Sequence, residues 1–257
     1  MFPWMQKTTV AEVVQAIEPE IVETLGDNLV SLIIYGDHAD TSKAAKDSEP
    51  ADLLIVVNDV GIETLVNLAK AFEGQSHNGL ISPMILSLEE LRGSTDVFPI
   101  KFMEMQRVHR LLAGKDILAD LEIGGGHLRL RCEQELKNIL FRMQSAYLRQ
   151  SRTPKRLAFT LHRSYAAFLK TMRAALSLVD QEAAEDEREL LAQLGEHFEL
   201  PVDALSRVGE LAVVVDANFG ADGVTSVFGE FLLIVHRAAN AVDALPDVIV
   251  LSDEISE

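Results

Sequence analysis

The sequence predicts an α+β protein in two parts, an α/β domain over residues 1–123 and an all-α helical bundle over residues 127–257. Short segments rich in branched apolar residues and bounded by turn residues, as buried strands are, occur in the first part at 29–35, 53–57 and 81–86. After the triple glycine at 124–126, apolar residues recur at the spacing of an α-helix. This change of period predicts the boundary between the two parts.

The first part begins with a predicted helix. Thr9 and Glu12 have the spacing of a capping box, in which each side chain accepts a hydrogen bond from the other residue's backbone amide. Apolar residues then follow at helical spacing until Gly26. Two buried strands are predicted at 29–35 and 53–57, and the polar residues between them predict a surface loop.

The rest of the first part predicts a helix at 63–72 and a third strand at 81–86. Ser87 and Glu90 then form a second capping box, which predicts a short helix. We expect the fourth strand at 98–105, which begins with Phe98-Pro99. His109 follows it and is expected on a helix surface.

The second part predicts a bundle of long helices. Residues 128–148 and 157–178 predict an antiparallel pair, because Thr153-Pro154 between them is a capping residue followed by proline at the first helical position. Three further helices are predicted at 187–198, 202–215 and 224–244.

Composition predicts a soluble cytoplasmic protein with no membrane partner. The longest apolar runs are far shorter than the roughly 20 residues that a membrane-spanning helix needs. The N-terminus lacks the pattern of a secretory signal. Cys132 is the single cysteine, so it forms no internal disulfide, and we expect a buried, inert thiol.

The net charge of −17 makes extended nucleic-acid binding an unfavourable function, because neutralisation of phosphates supplies most of such affinity. The charge is nevertheless uneven. Residues 127–173 carry 11 Lys and Arg against 2 Asp and Glu, whereas the segments on either side are strongly acidic. The basic segment can receive an anionic ligand or pair with acidic segments of the same chain or of a second subunit.

Three residues connect the first strands to a known fold: Gly36 and Asp37 follow the first strand, and Asp52 opens the second. This layout resembles the nucleotidyltransferase fold of the DNA polymerase beta superfamily. Residues 98–149 are similar in overall pattern to bacterial nucleotidyltransferase-like proteins with a helical C-terminal domain. The resemblance implies a mixed-sheet nucleotidyltransferase-like domain followed by the bundle. It also implies Mg²⁺-dependent transfer of a nucleotidyl group from a nucleoside triphosphate to a hydroxyl of a small molecule or protein.

The resemblance assigns roles to particular residues. Members of the superfamily have a Gly-Ser turn, an Asp-x-Asp pair and a third carboxylate on a later strand, which together hold two magnesium ions. Here Gly36 and Asp52 match, but Asp37 replaces the serine and Pro50 replaces the first aspartate. The implied catalytic and metal-binding residues are Asp52, Glu49 as the nearest substitute for the first aspartate, and Glu104 on the predicted fourth strand, where Lys101 would point to the opposite face.

The nucleotide would contact Gly36 and Asp37, and the basic face of the first bundle helix, with Arg129 and Arg131 foremost, would meet its triphosphate. Salt bridges within the chain or between subunits remain the alternative for these arginines. The alternative function is a catalytically degenerate nucleotidyltransferase-fold module for binding or assembly, motivated by Pro50 and Lys101. Such a module would act with a protein partner or as a homo-oligomer.

Overall fold

The computed structural model describes residues 9–40, 49–73, 78–213 and 221–246. Its internal contacts divide the chain into two compact units, Met1–Ile123 and Gly124–Glu257. Residues 41–48, which make up most of the predicted polar loop, lie outside the described residues. The last two residues of the helix predicted at 202–215 also lie outside them.

The first unit contains a four-stranded mixed sheet, so the predicted fold class is confirmed. Its strands are β1 (Leu29–Tyr35), β2 (Ala51–Val57), β3 (Ile81–Ser87) and β4 (His109–Gly114). Their order in the sheet is β3-β2-β1-β4. β1 is antiparallel to β2 and to β4, whereas β2 is parallel to β3.

Four α-helices are described in the first unit. They are α1 (Val10–Leu25), α2 (Ile62–Glu73), α3 (Leu88–Gly93) and α4 (Pro99–Arg107). At the start of α1, Thr9 Oγ1 accepts from the Glu12 amide at 3.3 Å and Glu12 Oε2 accepts from the Thr9 amide at 2.8 Å. Ser87 and Glu90 make the same reciprocal pair at α3. Both predicted capping boxes are confirmed.

Alternate side chains of the strands build a core on each face of the sheet. On one face Leu32, Leu53 and Ile55 pack in a cluster with α1, to which Ile17 contributes. On the other face the strand residues between them form a second cluster with Phe102 and Met105 of α4: Ile33, Leu54 and Val56. This alternation follows from the two-residue period of a strand. It places Asp52, two residues before Leu54, on the α4 face.

The fourth strand predicted at 98–105 is wrong, because these residues form α4. Phe98 caps the helix and Pro99 occupies its first turn, where the missing amide of proline costs little. Phe102 and Met105, three residues apart, are both buried on one helical face. The fourth strand is instead β4, so the prediction of His109 on a helix surface is also wrong.

The second unit is helical, as predicted. Its described helices are α5 (Gly125–Gln150), α6 (Pro154–Leu176), α7 (Glu187–Phe198), α8 (Val202–Val213) and α9 (Ala221–Asp243). Phe231 of α9 lies at the centre of an aromatic cluster, with its ring 5.4 Å from that of Phe168 and 5.9 Å from that of Tyr165. Both contacts have edge-to-face geometry, which is favourable for aromatic rings.

Cys132 is buried in this unit, and its thiol donates to the Thr171 carbonyl at a sulfur–oxygen distance of 3.7 Å. Burial, followed by the charge of Glu135, raises the pKa of the Cys132 thiol to about 12. A thiol that stays protonated is a poor nucleophile, which agrees with the inert role predicted for it. Within the described residues, no helix is both long enough and apolar enough to span a membrane.

Candidate functional site

The turn after β1 adjoins the carboxylate of Asp52. Gly36 has a φ of +73°, a backbone conformation that glycine adopts far more readily than other residues. Its amide donates to the Val108 carbonyl at 2.9 Å, and its carbonyl accepts from the Ala39 amide at 2.9 Å. A Cβ placed on Gly36 would lie 3.9 Å from Asp52 Oδ2. The structure therefore brings together Gly36 and Asp52, the two residues that match the superfamily pattern.

Asp52 belongs to a row of four residues that crosses the sheet. It pairs with Tyr35 of β1 on one side and with Ser82 of β3 on the other, and Tyr35 in turn pairs with His109 of β4. Residues paired directly across neighbouring strands have side chains on the same face. This row, Ser82–Asp52–Tyr35–His109, contains one carboxylate.

Tyr35 is electrostatically coupled to Asp52. Burial of the half-buried phenol, followed by the charge of Asp52, raises the pKa of Tyr35 to about 12. The phenol therefore keeps its proton at neutral pH and remains a hydrogen-bond donor beside the carboxylate.

His109 is held by partners at both ring nitrogens. Nδ1 lies 3.0 Å from the Gln106 carbonyl oxygen, and Nε2 lies 3.1 Å from each carboxylate oxygen of Asp116. The ring is thus fixed between the end of α4 and the segment after β4. Sequence reasoning missed this member of the row, although the short apolar run after it, Leu111-Leu112-Ala113, is a signal for a strand.

Glu49 contacts the turn after β1 through its backbone carbonyl. His38 Nε2 lies 2.9 Å from the Glu49 carbonyl oxygen, which joins the two ends of the loop between β1 and β2. The side chains of Glu49 and Asp37 are exposed. The structure therefore ties the backbone of Glu49 to the turn, and the role of its carboxylate stays a prediction.

Glu104 does not lie on a strand beside Asp52. It is on α4, where its carboxylate pairs with Arg107 at 3.6 Å, three residues later on the same helix. The expectation that Lys101 and Glu104 point to opposite faces of a strand is also wrong, because both residues lie on a helix. The pairing with Arg107 gives the Glu104 carboxylate a structural partner.

The residues at this site do not fit a two-metal centre. Magnesium prefers six oxygen ligands and is held in proteins by one or more carboxylates. Pro50 has no ligand, and the strand neighbours of Asp52 offer only the hydroxyls of Ser82 and Tyr35. Among the residues that the structure describes, no three His, Cys, Asp or Glu side chains come close enough to hold a metal ion.

The two arginines predicted to meet a triphosphate pair with carboxylates of their own unit. Arg129 Nη1 lies 3.8 Å from Glu133 Oε2 and 3.7 Å from Asp243 Oδ1. Arg131 Nη2 lies 3.0 Å from Glu135 Oε1. Ion pairs account for the positions of both arginines, and their role in nucleotide binding stays a prediction.

The first unit also has an open cavity of about 410 Å³ between α3 and residues 117–122. Leu91 and Ile117 give it an apolar surface, while Arg92, Asp120 and Glu122 give it charges of both signs. Gly36 and Asp52 are not among the residues that line it. The cavity is therefore distinct from the row at Asp52.

Comparison with known proteins supports the fold. No family profile matches the chain, and no curated protein matches its sequence. Among solved structures, the chain is similar to the spectinomycin adenyltransferase AAD(9) from Enterococcus faecialis, solved with ATP and spectinomycin. The TM-score is 0.50 at 13% sequence identity, over 92% of this chain and 100% of the other. The chain therefore has a nucleotidyltransferase-like fold.

Proposed function

We propose that this protein is a nucleotidyltransferase-fold module for binding or assembly that does not carry out two-metal nucleotidyl transfer. The observation that carries this proposal is the row at Asp52, in which one carboxylate stands between the hydroxyl side chains of Ser82 and Tyr35. Two metal ions held close together need several shared carboxylate oxygens. A single aspartate does not supply them.

The turn after β1 gives independent support. A glycine turn serves a nucleotide by offering backbone amides to its phosphates. Here the Gly36 amide donates to the Val108 carbonyl, and Asp37 adds an exposed negative charge next to it. Both features weaken the attraction of this turn for a phosphate.

The second candidate is transfer of a nucleotidyl group from a nucleoside triphosphate to a hydroxyl of a small molecule or protein. It is favoured by the position of Gly36 beside Asp52 and by the likeness to an adenyltransferase fold. In this candidate Mg²⁺ would supply the charge that stabilises the reacting phosphates, and the chain would rely on Asp52 to hold it.

Calorimetry distinguishes the two candidates. The full chain and its Asp52→Asn variant are titrated with each nucleoside triphosphate, with and without Mg²⁺. The proposal expects no magnesium-dependent binding by either protein. Magnesium-dependent binding by the native chain that Asp52→Asn abolishes would overturn it and support the transferase.

A variant with restored carboxylates identifies the cause. Pro50 and Ser82 are exposed, so Pro50→Asp combined with Ser82→Glu adds two carboxylates beside Asp52 without filling the core. We expect this variant to gain magnesium binding. The matched control is Ala119→Asp combined with Ser151→Glu, which adds the same charge at two other exposed positions and should gain none.

A further inference from the structure

The turn between α5 and α6 lies in a purely basic stretch of the chain. Residues 136–179 contain nine Lys and Arg and no Asp or Glu. Four of these basic side chains are exposed within eight positions around the turn: Arg149, Arg152, Lys155 and Arg156. We call residues 141–159 the hairpin end.

The hairpin end also exposes large apolar side chains. Phe141 is 63% exposed, Leu148 83% and Phe159 55%. Leu148 follows Phe141 by seven residues, which is close to two helical turns, so both lie on one face of α5. Single exposed apolar residues are ordinary, but several of them among arginines at one end of a helix pair indicate an interaction surface.

The contacts within the hairpin end leave its charge in place. Arg149 Nη1 donates to Ser145 Oγ at 2.7 Å, and the Phe159 ring has its centre 5.9 Å from the guanidinium of Arg163, which lies one turn beyond the hairpin end on α6. Neither a hydroxyl nor a ring neutralises a guanidinium. The arginines at the start of α5 differ, because they pair with carboxylates. The positive charge is therefore concentrated at the hairpin end.

The same unit presents an acidic surface at another place. Residues 182–189, which we call the acidic segment, contain five Asp and Glu, all exposed, and one Arg. The segment is fixed against the later part of α6, where the Tyr165 hydroxyl donates to Glu187 Oε1 at 2.8 Å and Arg173 donates to the Ala184 carbonyl. Arg156 and Arg173 are about 25 Å apart along the helix, from the rise of 1.5 Å per residue. One copy thus carries two complementary surfaces well separated from each other.

We propose that the hairpin end of one protomer docks on the acidic segment of a second copy of this chain. The exposed arginines would meet the exposed carboxylates, while Phe141 and Leu148 are removed from water. A two-fold axis allows both protomers to make this contact, so a closed dimer forms. The same surface is poorly suited to nucleic acid, because the acidic segment and the net charge of −17 repel phosphates. The proposal rests on the second unit and is independent of any ligand at Asp52.

Sedimentation velocity of the full chain tests the proposal. We expect a dimer at low salt that weakens as salt is added, because the contact is largely electrostatic. Arg149→Glu with Arg152→Glu should raise the dissociation constant of the dimer by about tenfold or more. Leu148→Ser, at an exposed position that folding does not need, should also weaken it. Lys70→Glu with Lys115→Glu is the matched control, since it makes the same charge change at exposed positions of the other unit and should leave the dimer intact.

A charge exchange identifies the acidic counterpart. Glu182→Lys with Glu189→Lys should weaken the dimer as the arginine reversals do, and the variant with all four changes should recover it. Circular dichroism establishes that each variant is folded. A native chain that is monomeric at every concentration, or a four-fold variant that stays monomeric while folded, would overturn the proposal. Calorimetry with nucleotide has no bearing on either result, so the two proposals fail separately.

Discussion

Two glycines at the ends of strands, Gly36 after β1 and Gly114 in β4, adopt left-handed backbone conformations, but their surroundings differ. Gly36 has a φ of +73° with room for a methyl group, whereas Gly114 has a φ of +82° and a Cβ there would lie 2.3 Å from the Val30 carbonyl oxygen. We expect Gly36→Ala to lower the free energy of unfolding by about 1 to 2 kcal/mol, from the conformational penalty alone. Gly114→Ala should lower it by more, since the backbone must also move.

Urea unfolding of the native chain, Gly36→Ala and Gly114→Ala measures which variant loses more stability. Gly93→Ala, where a Cβ meets nothing within 4 Å and φ is not positive, is the matched control and should change the stability little. Equal losses from Gly36→Ala and Gly93→Ala would mean that the turn beside Asp52 relaxes to an ordinary conformation.

The link between Tyr35 and Asp52 predicts a pH dependence. The pKa of Tyr35 is raised to about 12, above the value of about 10 for an unperturbed tyrosine, so the unfolded chain loses its phenolic proton at a lower pH than the folded chain. The resulting stability is complete below pH 10 and is lost as pH rises toward 12. We expect Tyr35→Phe to lose less stability than the native chain over this range.

Asp52→Asn provides the control for the cause. Removing the charge should lower the pKa of Tyr35 only in part, because burial is the larger cause. Ultraviolet titration of the tyrosinates measures the pKa directly. If the pKa of Tyr35 is the same in both proteins, Asp52 is not coupled to it.

At the scale of elements, capping chemistry and strand composition predicted α1, α3 and the first three strands correctly, because these signals are local. The secondary structure of residues 98–105 is harder to predict from sequence, because their apolar residues fit a strand as well as a helix. Pro99 resolves the choice, because it lacks an amide for a central strand and suits a first helical turn. The wrong strand placed Glu104 among the predicted metal-binding carboxylates, and it hid His109, which belongs to the row through β4.

The capping box of α3 makes the stability of the protein depend on pH in the acidic range. Hydrogen bonds from the backbone and side chain of Ser87 lower the pKa of Glu90 below the ordinary value of a glutamate. A lowered pKa contributes stability that is present above the unfolded value and lost as pH falls through the folded value. We therefore expect Glu90→Gln to flatten the loss of stability in this acidic range, measured by urea unfolding at several pH values.

Glu89→Gln is the matched control, because Glu89 lies in the same helical turn with an exposed side chain. The Glu89→Gln variant should lose stability at acidic pH to the same extent as the native chain. Equal flattening by both variants would assign the effect to the general charge of the turn rather than to the cap.

At the scale of the whole molecule, the sequence predicts a sheet-containing part followed by a helical part, because short apolar segments bounded by turn residues give way near residue 124 to long segments with helical spacing. The basic stretch around the turn between α5 and α6 can also be identified from the sequence, because residues 136–179 contain no Asp or Glu. Neither the strand register nor the acidic segment beside α6 could be predicted, since both depend on contacts between residues far apart in the chain. Register is what places Ser82 and Tyr35 beside Asp52 and leaves that carboxylate without a second one in its row.

The two compact units lead us to propose that residues 1–123 and 127–257 are separate domains that unfold separately. Phe231 is fully buried in the aromatic cluster of the second unit, so Phe231→Ala should lower the stability of that unit by about 3 to 5 kcal/mol. In scanning calorimetry, one transition should move down by several degrees while the other stays in place. Leu233→Ala on the same helix is the matched control, because that side chain is 64% exposed and its loss should move neither transition. A single transition that moves as a whole after Phe231→Ala would show instead that the two units unfold as one cooperative body.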